Sequence, residues 1–308
     1  MGLGYAAFVI DTKTQLTQAV SLSNSGVEAT NNSAVYDISE NGRFALFCSE
    51  DDSLVPGDNN GFDDVFVRDL RLGTTERISA ERPGLPTGRC FARKRALAPR
   101  GTPRHVLFNC QGPDPFGPQY ESTFMYDRKT KHTELISVDE FGNQLSGIGR
   151  PLMSANGRYL VFSSFLTLSP KDTDQTLDVY VRDMKTQKTR LAVVGVNGAL
   201  PDGYVELLDM TPDARYLVVN STASNLDEVG NPDHSFQLYR YDRLRRKAER
   251  LTITIDGTSP NGQPLTASIS DAGNKIVFDS HATNLVANDG NGTSDIFMRT
   301  LKRHGRGQ

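Results

Sequence analysis

The sequence predicts an all-β fold built from repeated four-stranded antiparallel sheets. Three observations support this prediction: a regular repeat of about 58 residues, short apolar runs of strand length, and turn residues between the runs. The 3.6-residue apolar periodicity of an amphipathic helix is missing from the chain. Gly contributes 27 and Pro 15 of the 308 residues, and both are spread throughout, which is typical of a turn-rich β protein.

The repeat is clearest in one short apolar run that closes with an acidic residue. FVRD at residues 66–69 is one copy, and the other copies keep a similar order of aromatic and aliphatic residues. The last residues of the six copies are Asp11, Asp69, Asp127, Asp183, Asp242 and Thr300, at intervals of 56 to 59 residues. A period this even indicates one structural unit repeated along the chain.

Two further runs keep the same phase. An apolar run precedes each later copy by about twenty residues, at 43–49, 105–110, 158–164, 215–221 and 275–280. Another run follows after a polar turn, with its matching residue ten positions on: Ser21, Ser79, Ser137, Val193 and Thr252. The constant turn length predicts a hairpin of fixed register. Each unit is therefore expected to contain strand A, strand B, a longer loop, strand C and strand D.

Short strands, Gly and Pro between them and a period above 40 residues are typical of a β-propeller, in which each unit forms one blade. We expect one domain over residues 1–308 with five four-stranded antiparallel blades, closed by the N-terminal D strand at about residues 16–22. The first alternative is six blades with an incomplete first blade. A further alternative is that the chain is part of a longer array. The tail at about residues 302–308 is expected to be disordered.

Four segments of the first complete unit carry a family resemblance: ISENGR, LVPGD, DVFVRD and GTTERIS, at residues 38–43, 54–58, 64–69 and 73–79. They resemble the TolB-like, WD-repeat-like propeller repeats of bacterial proteins, and the resemblance extends from about residue 4 to about residue 301. It implies a partner-binding propeller in a periplasmic or extracellular location, and it brings no catalytic motif. The N-terminal residues lack the basic segment of a secretory signal peptide, so this sequence carries no export signal of that kind.

Charge and hydropathy argue against two classes of partner. The 34 Lys and Arg residues are balanced by 37 Asp and Glu residues, so the concentrated positive field that nucleic acid requires is absent. Because no apolar run approaches 18 residues, membrane insertion is not expected. The three cysteines, Cys48, Cys90 and Cys110, cannot form a closed disulfide framework, and we expect Cys48 and Cys110 to be buried structural thiols.

The loops between strands B and C contain the strongest candidate site. Three of them fit the pattern D-x-[DN]-x-x-x-D, with Asp58, Asn60 and Asp64, with Asp172, Asp174 and Asp178, and with Asp289, Asn291 and Asp295. The fourth repeat has a weakened form, Asn231, Asp233 and Gln237. Oxygen ligands at such spacing suit calcium, although the loops are shorter than an EF-hand and lack its terminal Glu. The alternative is that these side chains form Asx turns that cap strand C.

The predicted function is a non-enzymatic propeller that binds a protein, peptide or glycan partner through loops on one ring face, stiffened by calcium. The alternative is a propeller lyase or hydrolase with a site in the axial funnel. Its candidate residues are Arg93, Lys94, Arg95 and His105, the one group of polar residues that departs from the repeat. The basic segments 240–247 and 302–306 are interpreted as a solvated hairpin tip and a tail.

Overall fold

The computed structural model describes residues 5–79, 88–93, 96–97, 103–111, 121–138, 145, 148–149 and 151–302. The chain divides into two compact units, Met1–Gly147 with Ala155–Gly157, and Ile148–Ser154 with Arg158–Gln308. Among the described residues, no helix is long and apolar enough to cross a membrane. Residues 303–308, which include most of the expected disordered tail, lie outside the described ranges, and the single domain over the whole chain stays a prediction.

The first unit contains an N-terminal hairpin and two four-stranded antiparallel sheets. The hairpin consists of β1 (Phe8–Ile10) and β2 (Thr17–Ala19). Sheet 1 consists of β3 (Ser33–Ile38), β4 (Phe44–Ser49), β5 (Asp64–Asp69) and β6 (Thr74–Arg77), in that order. Sheet 2 consists of β7 (Cys90–Phe91), β8 (His105–Gln111), β9 (Glu121–Asp127) and β10 (His132–Leu135), again in sequence order.

The second unit contains two four-stranded sheets and one of three strands. Sheet 3 consists of β11 (Leu152–Met153), β12 (Tyr159–Ser164), β13 (Asp178–Asp183) and β14 (Lys188–Leu191). A single 3-10 turn at Val196–Gly198 follows it. Sheet 4 consists of β15 (Val205–Met210), β16 (Tyr216–Ser221), β17 (Gln237–Asp242) and β18 (Lys247–Arg250). Sheet 5 consists of β19 (Pro264–Ile269), β20 (Lys275–Ser280) and β21 (Asp295–Thr300). The all-β class and the four-stranded antiparallel sheets are confirmed.

In the four-stranded sheets, the two middle strands form the core. In sheet 1 every residue of β4 and β5 is buried, as expected for strands that are covered on both faces. One aromatic pair recurs between the second and third strands of four sheets: Phe47–Phe66, Phe108–Phe124, Phe162–Tyr180 and Phe278–Phe297, with ring centroids 5.3 to 6.0 Å apart. Such cross-strand pairs stabilise the register of a sheet, so the aromatic residue of the repeated run has a structural role.

The acidic residue that closes the repeated run is held by an arginine at the start of strand B. In sheet 1, Arg43 Nη2 lies 2.6 Å from Asp69 Oδ2, and Asp69 also accepts the backbone N–H groups of Arg71 and Leu72. The same pair recurs as Arg104–Asp127, Arg158–Asp183 and Arg215–Asp242. The hydrogen bonds from Arg43 lower the pKa of Asp69. Repetition of this aspartate therefore reflects hairpin architecture.

The N-terminal strands form a local hairpin. β2 pairs with β1, with Phe8 opposite Ala19, because the short turn between them makes the hairpin entropically cheap to close. The closure of the repeat array by residues 16–22 and the number of blades both stay predictions.

The cysteines differ from the sequence-based expectation. Cys90 and Cys110 are opposite residues of β7 and β8, with Cα atoms 4.1 Å apart, and they form a disulfide. The expectation of buried thiols is therefore wrong for Cys110, because the antiparallel register brings two residues that are distant in sequence face to face. Cys48 is a buried free thiol that accepts the Ala92 N–H at 3.2 Å, and burial raises its pKa to about 12.

Replacement of Cys90 and Cys110 by serine is expected to lower the free energy of unfolding by about 3 kcal/mol. The disulfide closes a loop between residues 20 positions apart, and the open chain regains that loop entropy when it unfolds. Denaturant unfolding with and without a reducing agent measures the change. Reduction is expected to destabilise the native protein and to leave the double variant unchanged, so an equal effect on both would contradict the disulfide.

Candidate metal centre

The four acidic or amide-rich loops occupy equivalent places, because each joins the second and third strands of its sheet. We name them by sheet: loop 1 (residues 58–64), loop 3 (172–178), loop 4 (231–237) and loop 5 (289–295). In each loop the last residue is also the first residue of the following strand, so its side chain is fixed by the sheet. The environments of these loops differ, and the differences separate one loop that is a candidate metal site from the other three loops.

Loop 3 brings three carboxylates together. Asp172, Asp174 and Asp178 each offer one oxygen, and these oxygens lie within 4.8 Å of one another; among the described residues, no other group of three such ligands is this close. Asp178 is fully buried, and neither of its side-chain oxygens has a hydrogen-bond partner. Burial, followed by the charges of Asp172 and Asp174, raises the pKa of Asp178 to about 7. A buried carboxylate without a partner is costly, and a bound cation removes that cost.

Local hydrogen bonds orient the other two carboxylates. The Tyr180 hydroxyl donates to Asp172, and Asp174 accepts the Thr176 hydroxyl and the Thr176 N–H at 2.8 Å each. The Asp174 N–H donates to Asp172 at 3.2 Å. The Asx-turn interpretation therefore explains part of the loop. It leaves Asp178 unexplained, because that carboxylate is the one without a donor.

Loop 1 has the same acidic pattern, but Arg77, the last residue of β6, supplies a cation beside it. The Arg77 guanidinium lies 3.0 Å from Asp58 and 2.8 Å from Asp64, and all three side chains are at least nine-tenths buried. Asp64 also accepts the Ser79 hydroxyl at 2.5 Å and the Asn60 amide at 3.1 Å. Burial still raises the pKa of Asp58, to about 6, and the Arg77 charge opposes that rise. Loop 1 is therefore already charge-compensated.

Strand D explains why loops 1 and 3 differ. Arg77 lies opposite Phe66 in sheet 1, and Leu191 lies opposite Tyr180 at the equivalent place in sheet 3. Two residues further on, sheet 1 has Ser79 and sheet 3 has Val193. Loop 3 therefore has three acidic residues at these positions but lacks both the cation and the hydroxyl that compensate loop 1.

Loop 4 is compensated in another way. Its end positions are the neutral amides Asn231 and Gln237, and Gln237 accepts the Thr252 hydroxyl at 2.7 Å. Arg250, the equivalent of Arg77, pairs with Asp227 at 3.1 Å. Because the buried amides carry no charge, loop 4 does not need a metal ion.

Loop 5 contains Asp289, Asn291 and Asp295, and it is open to solvent. The Asn291 amide donates to Asp295 at 2.8 Å, and both aspartates are only partly buried. The nine predicted ligands therefore comprise one compact trio, in which Asp172 and Asp178 are buried and Asp174 is partly buried, and two loops without such a trio.

Arg93 and His105, the two described residues named for the enzymatic alternative, do not converge. Arg93 pairs with Glu121 at 2.7 Å, whereas His105 lies 3.8 Å from Asp127. Glu121 and Asp127 are the first and last residues of β9, so the two contacts lie at opposite ends of one strand. Burial lowers the pKa of His105. Lys94 and Arg95 lie outside the described residues.

Comparison with known proteins places the chain by fold. No family model matches the chain, and no curated protein matches its sequence. Among solved structures, TolB from Acinetobacter baumannii is similar with a TM-score of 0.41 and 15% identity, over 78% of this chain and 50% of that chain. The β-propeller domain of the trilobed protease from Pyrococcus furiosus has a TM-score of 0.41 and 10% identity, over 86% and 82%.

The GH74 xyloglucanase from Xanthomonas campestris has the highest TM-score of the three. It is similar with a TM-score of 0.51 and 8% identity, over 96% of this chain and 41% of that chain. This chain thus spans about half the length of TolB and less of the xyloglucanase. Together with the repeated sheets, the likeness supports a β-propeller fold.

Proposed function

We propose that the chain is a non-enzymatic β-propeller scaffold that binds a protein, peptide or glycan partner through its loops, with calcium bound at loop 3. One observation carries the calcium part: the fully buried Asp178 carboxylate has no hydrogen-bond partner and faces two further carboxylates. A cation there supplies the positive charge that Arg77 supplies in loop 1.

The donor set favours calcium over other metals. All three candidate ligands of loop 3 are carboxylates, and hard cations prefer oxygen, whereas zinc prefers histidine and cysteine. Calcium accepts irregular oxygen shells, and magnesium demands near-ideal octahedral geometry and retains its waters. A loop that turns within seven residues offers an irregular shell.

A calcium ion in loop 3 would have a mechanical effect on the scaffold. Loop 3 joins the two middle strands of sheet 3, and Asp178 is the first residue of β13. An ion shared by Asp172, Asp174 and Asp178 ties the loop to the start of the strand. Binding scaffolds present their contact residues on loops, and a stiff loop loses less entropy when a partner binds.

The disulfide is consistent with the compartment that the family resemblance implies. Disulfides persist in the periplasm and outside the cell, where the environment is oxidising. A calcium site of moderate affinity is also most useful where calcium is present at millimolar concentration. We therefore propose that the chain functions in a periplasmic or extracellular location.

Thermal melting of the full chain tests the calcium part. After treatment with EDTA, we expect millimolar calcium to raise the melting temperature by several degrees. A ligand at about 100 times its Kd stabilises the native state by about 2.7 kcal/mol, and each kcal/mol shifts the melting temperature of a large domain by about 2–4 °C. Magnesium at the same concentration is expected to give a smaller shift. An unchanged melting temperature in millimolar calcium would overturn the proposal.

A further inference from the structure

The Tyr180 hydroxyl lies between loop 3 and the segment that leads into this loop. It donates to Asp172, one of the three candidate calcium ligands, and it also lies 2.9 Å from the Leu166 carbonyl oxygen. A phenol carries one proton, so it can donate a full hydrogen bond to only one of these two acceptors at a time. The strength of Asp172 as an acceptor therefore decides how firmly Leu166 is held.

The sheet itself does not require this hydroxyl. Tyr180 packs against Phe162 across the second and third strands of sheet 3, with ring centroids 6.0 Å apart. Phenylalanine makes the same ring contact in sheets 1, 2 and 5, at Phe66, Phe124 and Phe297. The hydroxyl of Tyr180 therefore serves contacts outside the ring stack.

The segment 165–168 follows β12, and side chains hold its backbone. The Leu166 N–H donates to the Ser164 hydroxyl at 3.1 Å, and the Leu166 carbonyl is the second acceptor of the Tyr180 hydroxyl. Phe165, the neighbour of Leu166, is 58% exposed, so burial does not fix its ring. The position of Phe165 therefore depends on how firmly the backbone beside it is held.

An aromatic contact joins this segment of sheet 3 to sheet 4. The ring centroid of Phe165 lies 6.2 Å from that of Tyr204, which directly precedes β15. Tyr204 in turn contacts Phe236, which directly precedes β17, at 5.9 Å. All three residues belong to the second compact unit. We call Phe165, Tyr204 and Phe236 the aromatic row.

The repeat does not require the contact between Phe165 and Tyr204. The residue that follows strand B, where sheet 3 has Phe165, is polar in sheets 1, 4 and 5: Glu50, Thr222 and His281. The residue that precedes strand A, where sheet 4 has Tyr204, is polar in sheets 1 and 5: Asn32 and Gln263. The aromatic pair is therefore particular to the junction of sheets 3 and 4, next to the candidate calcium site.

We propose that calcium in loop 3 locks the aromatic row by shifting the Tyr180 hydroxyl from Asp172 to the Leu166 carbonyl. An ionised carboxylate is a stronger acceptor than a carbonyl, so without metal the hydroxyl donates mainly to Asp172. A calcium ion bound to Asp172 neutralises much of this negative charge. The hydroxyl then bonds Leu166 and fixes Phe165 against Tyr204. The inference rests on the proposed calcium site and adds a regulatory consequence to it.

Tryptophan fluorescence of the full chain tests the proposal. The chain contains no tryptophan, so Phe165→Trp supplies a single reporter at one end of the aromatic row. We expect calcium, added after EDTA, to raise the anisotropy of this tryptophan and to lower its quenching by acrylamide. Without metal, Leu166 holds the hydroxyl for at most about half of the time, so calcium at least doubles the locked population and is expected to lower the quenching constant by about twofold.

Two matched variants locate the route of the effect. Tyr180→Phe in the reporter background keeps the ring that sheets 1, 2 and 5 use at this position. It is expected to abolish the fluorescence response, while saturating calcium still raises the melting temperature. Phe62→Trp instead places the reporter in loop 1, where Arg77 already compensates the acidic residues, and is expected to give no response to calcium.

The outcomes separate this inference from the calcium site on which it rests. A rise in melting temperature without a fluorescence change at Phe165→Trp would overturn the inference and leave the calcium site intact. A fluorescence response that persists after Tyr180→Phe, or an equal response at Phe62→Trp, would also overturn it. Loss of both responses in Tyr180→Phe would show that Tyr180 acts on the ion itself and not through Leu166. If neither the melting temperature nor the fluorescence of Phe165→Trp responds to calcium, both proposals are wrong.

Discussion

Substitution of Asp178 by asparagine is expected to raise the melting temperature of the calcium-free protein and to abolish its response to calcium. In the absence of metal, the buried Asp178 carboxylate has no donor and lies beside Asp172 and Asp174. Removal of its charge relieves desolvation and repulsion, by about 1–3 kcal/mol. The same change removes a ligand, so thermal melting in EDTA and in calcium measures both effects in one variant.

The matched control is Asp64→Asn in loop 1. Asp64 occupies the equivalent position but is paired with Arg77 and hydrogen-bonded to Ser79. Its substitution is therefore expected to lower the melting temperature in EDTA and to leave the calcium response intact. A purely structural role for Asp178 predicts the same sign for both variants. Equal losses in EDTA would contradict the metal site.

The pH dependence gives a further measure of Asp178. Its folded pKa of about 7 lies above the value of about 3.9 that is usual for an unfolded chain. Between these values the native state holds the proton more tightly, so the free energy of unfolding falls as the pH rises, by at most about 1.4 kcal/mol per pH unit. In EDTA, the stability gained by Asp178→Asn is thus expected to grow up to about pH 7 and then to level off.

The fold is largely predictable from the sequence because its signal is repeated. An aspartate at the position of Asp69 occurs in five of the six copies, and in sheets 1 to 4 the structure explains it by an arginine contact and by the hairpin turn that the aspartate closes. Repetition says less about the ends of the chain. β2 pairs with β1 in a local hairpin, and how the repeat array closes stays a prediction.

The candidate site is only partly predictable for a related reason. The acidic pattern marks loops 1, 3 and 5 alike, yet residues on a later strand decide the chemistry of loops 1 and 3. The ten-residue phase aligned Ser79 with Val193 in the sequence, but the effect of Arg77 on Asp58 and Asp64 needs side-chain positions. The disulfide also could not be predicted from the sequence, because Cys90 becomes the neighbour of Cys110 only through the register of β7 and β8.

Exchange of the strand-D residues between sheets 1 and 3 is expected to move the calcium response. Arg77→Leu alone leaves Asp58 and Asp64 buried without their cation, and breaking such a pair is expected to cost about 3–5 kcal/mol. With Ser79→Val added, loop 1 acquires the surroundings of loop 3. We expect calcium to restore much of the lost stability of this double variant, and to raise its melting temperature more than that of the native protein.

The reciprocal variant, Leu191→Arg with Val193→Ser, supplies loop 3 with an internal cation and a hydroxyl donor. Leu191 is the partly buried last residue of the edge strand β14, from which an arginine side chain can reach the loop as Arg77 does in sheet 1. Val193 is buried, as Ser79 is in sheet 1. Melting in EDTA is expected to occur at a higher temperature than for the native protein, and added calcium is expected to have no further effect. A native-sized calcium response in this variant would show that the ion binds elsewhere, since an arginine and a calcium ion cannot both occupy the space between Asp172 and Asp178.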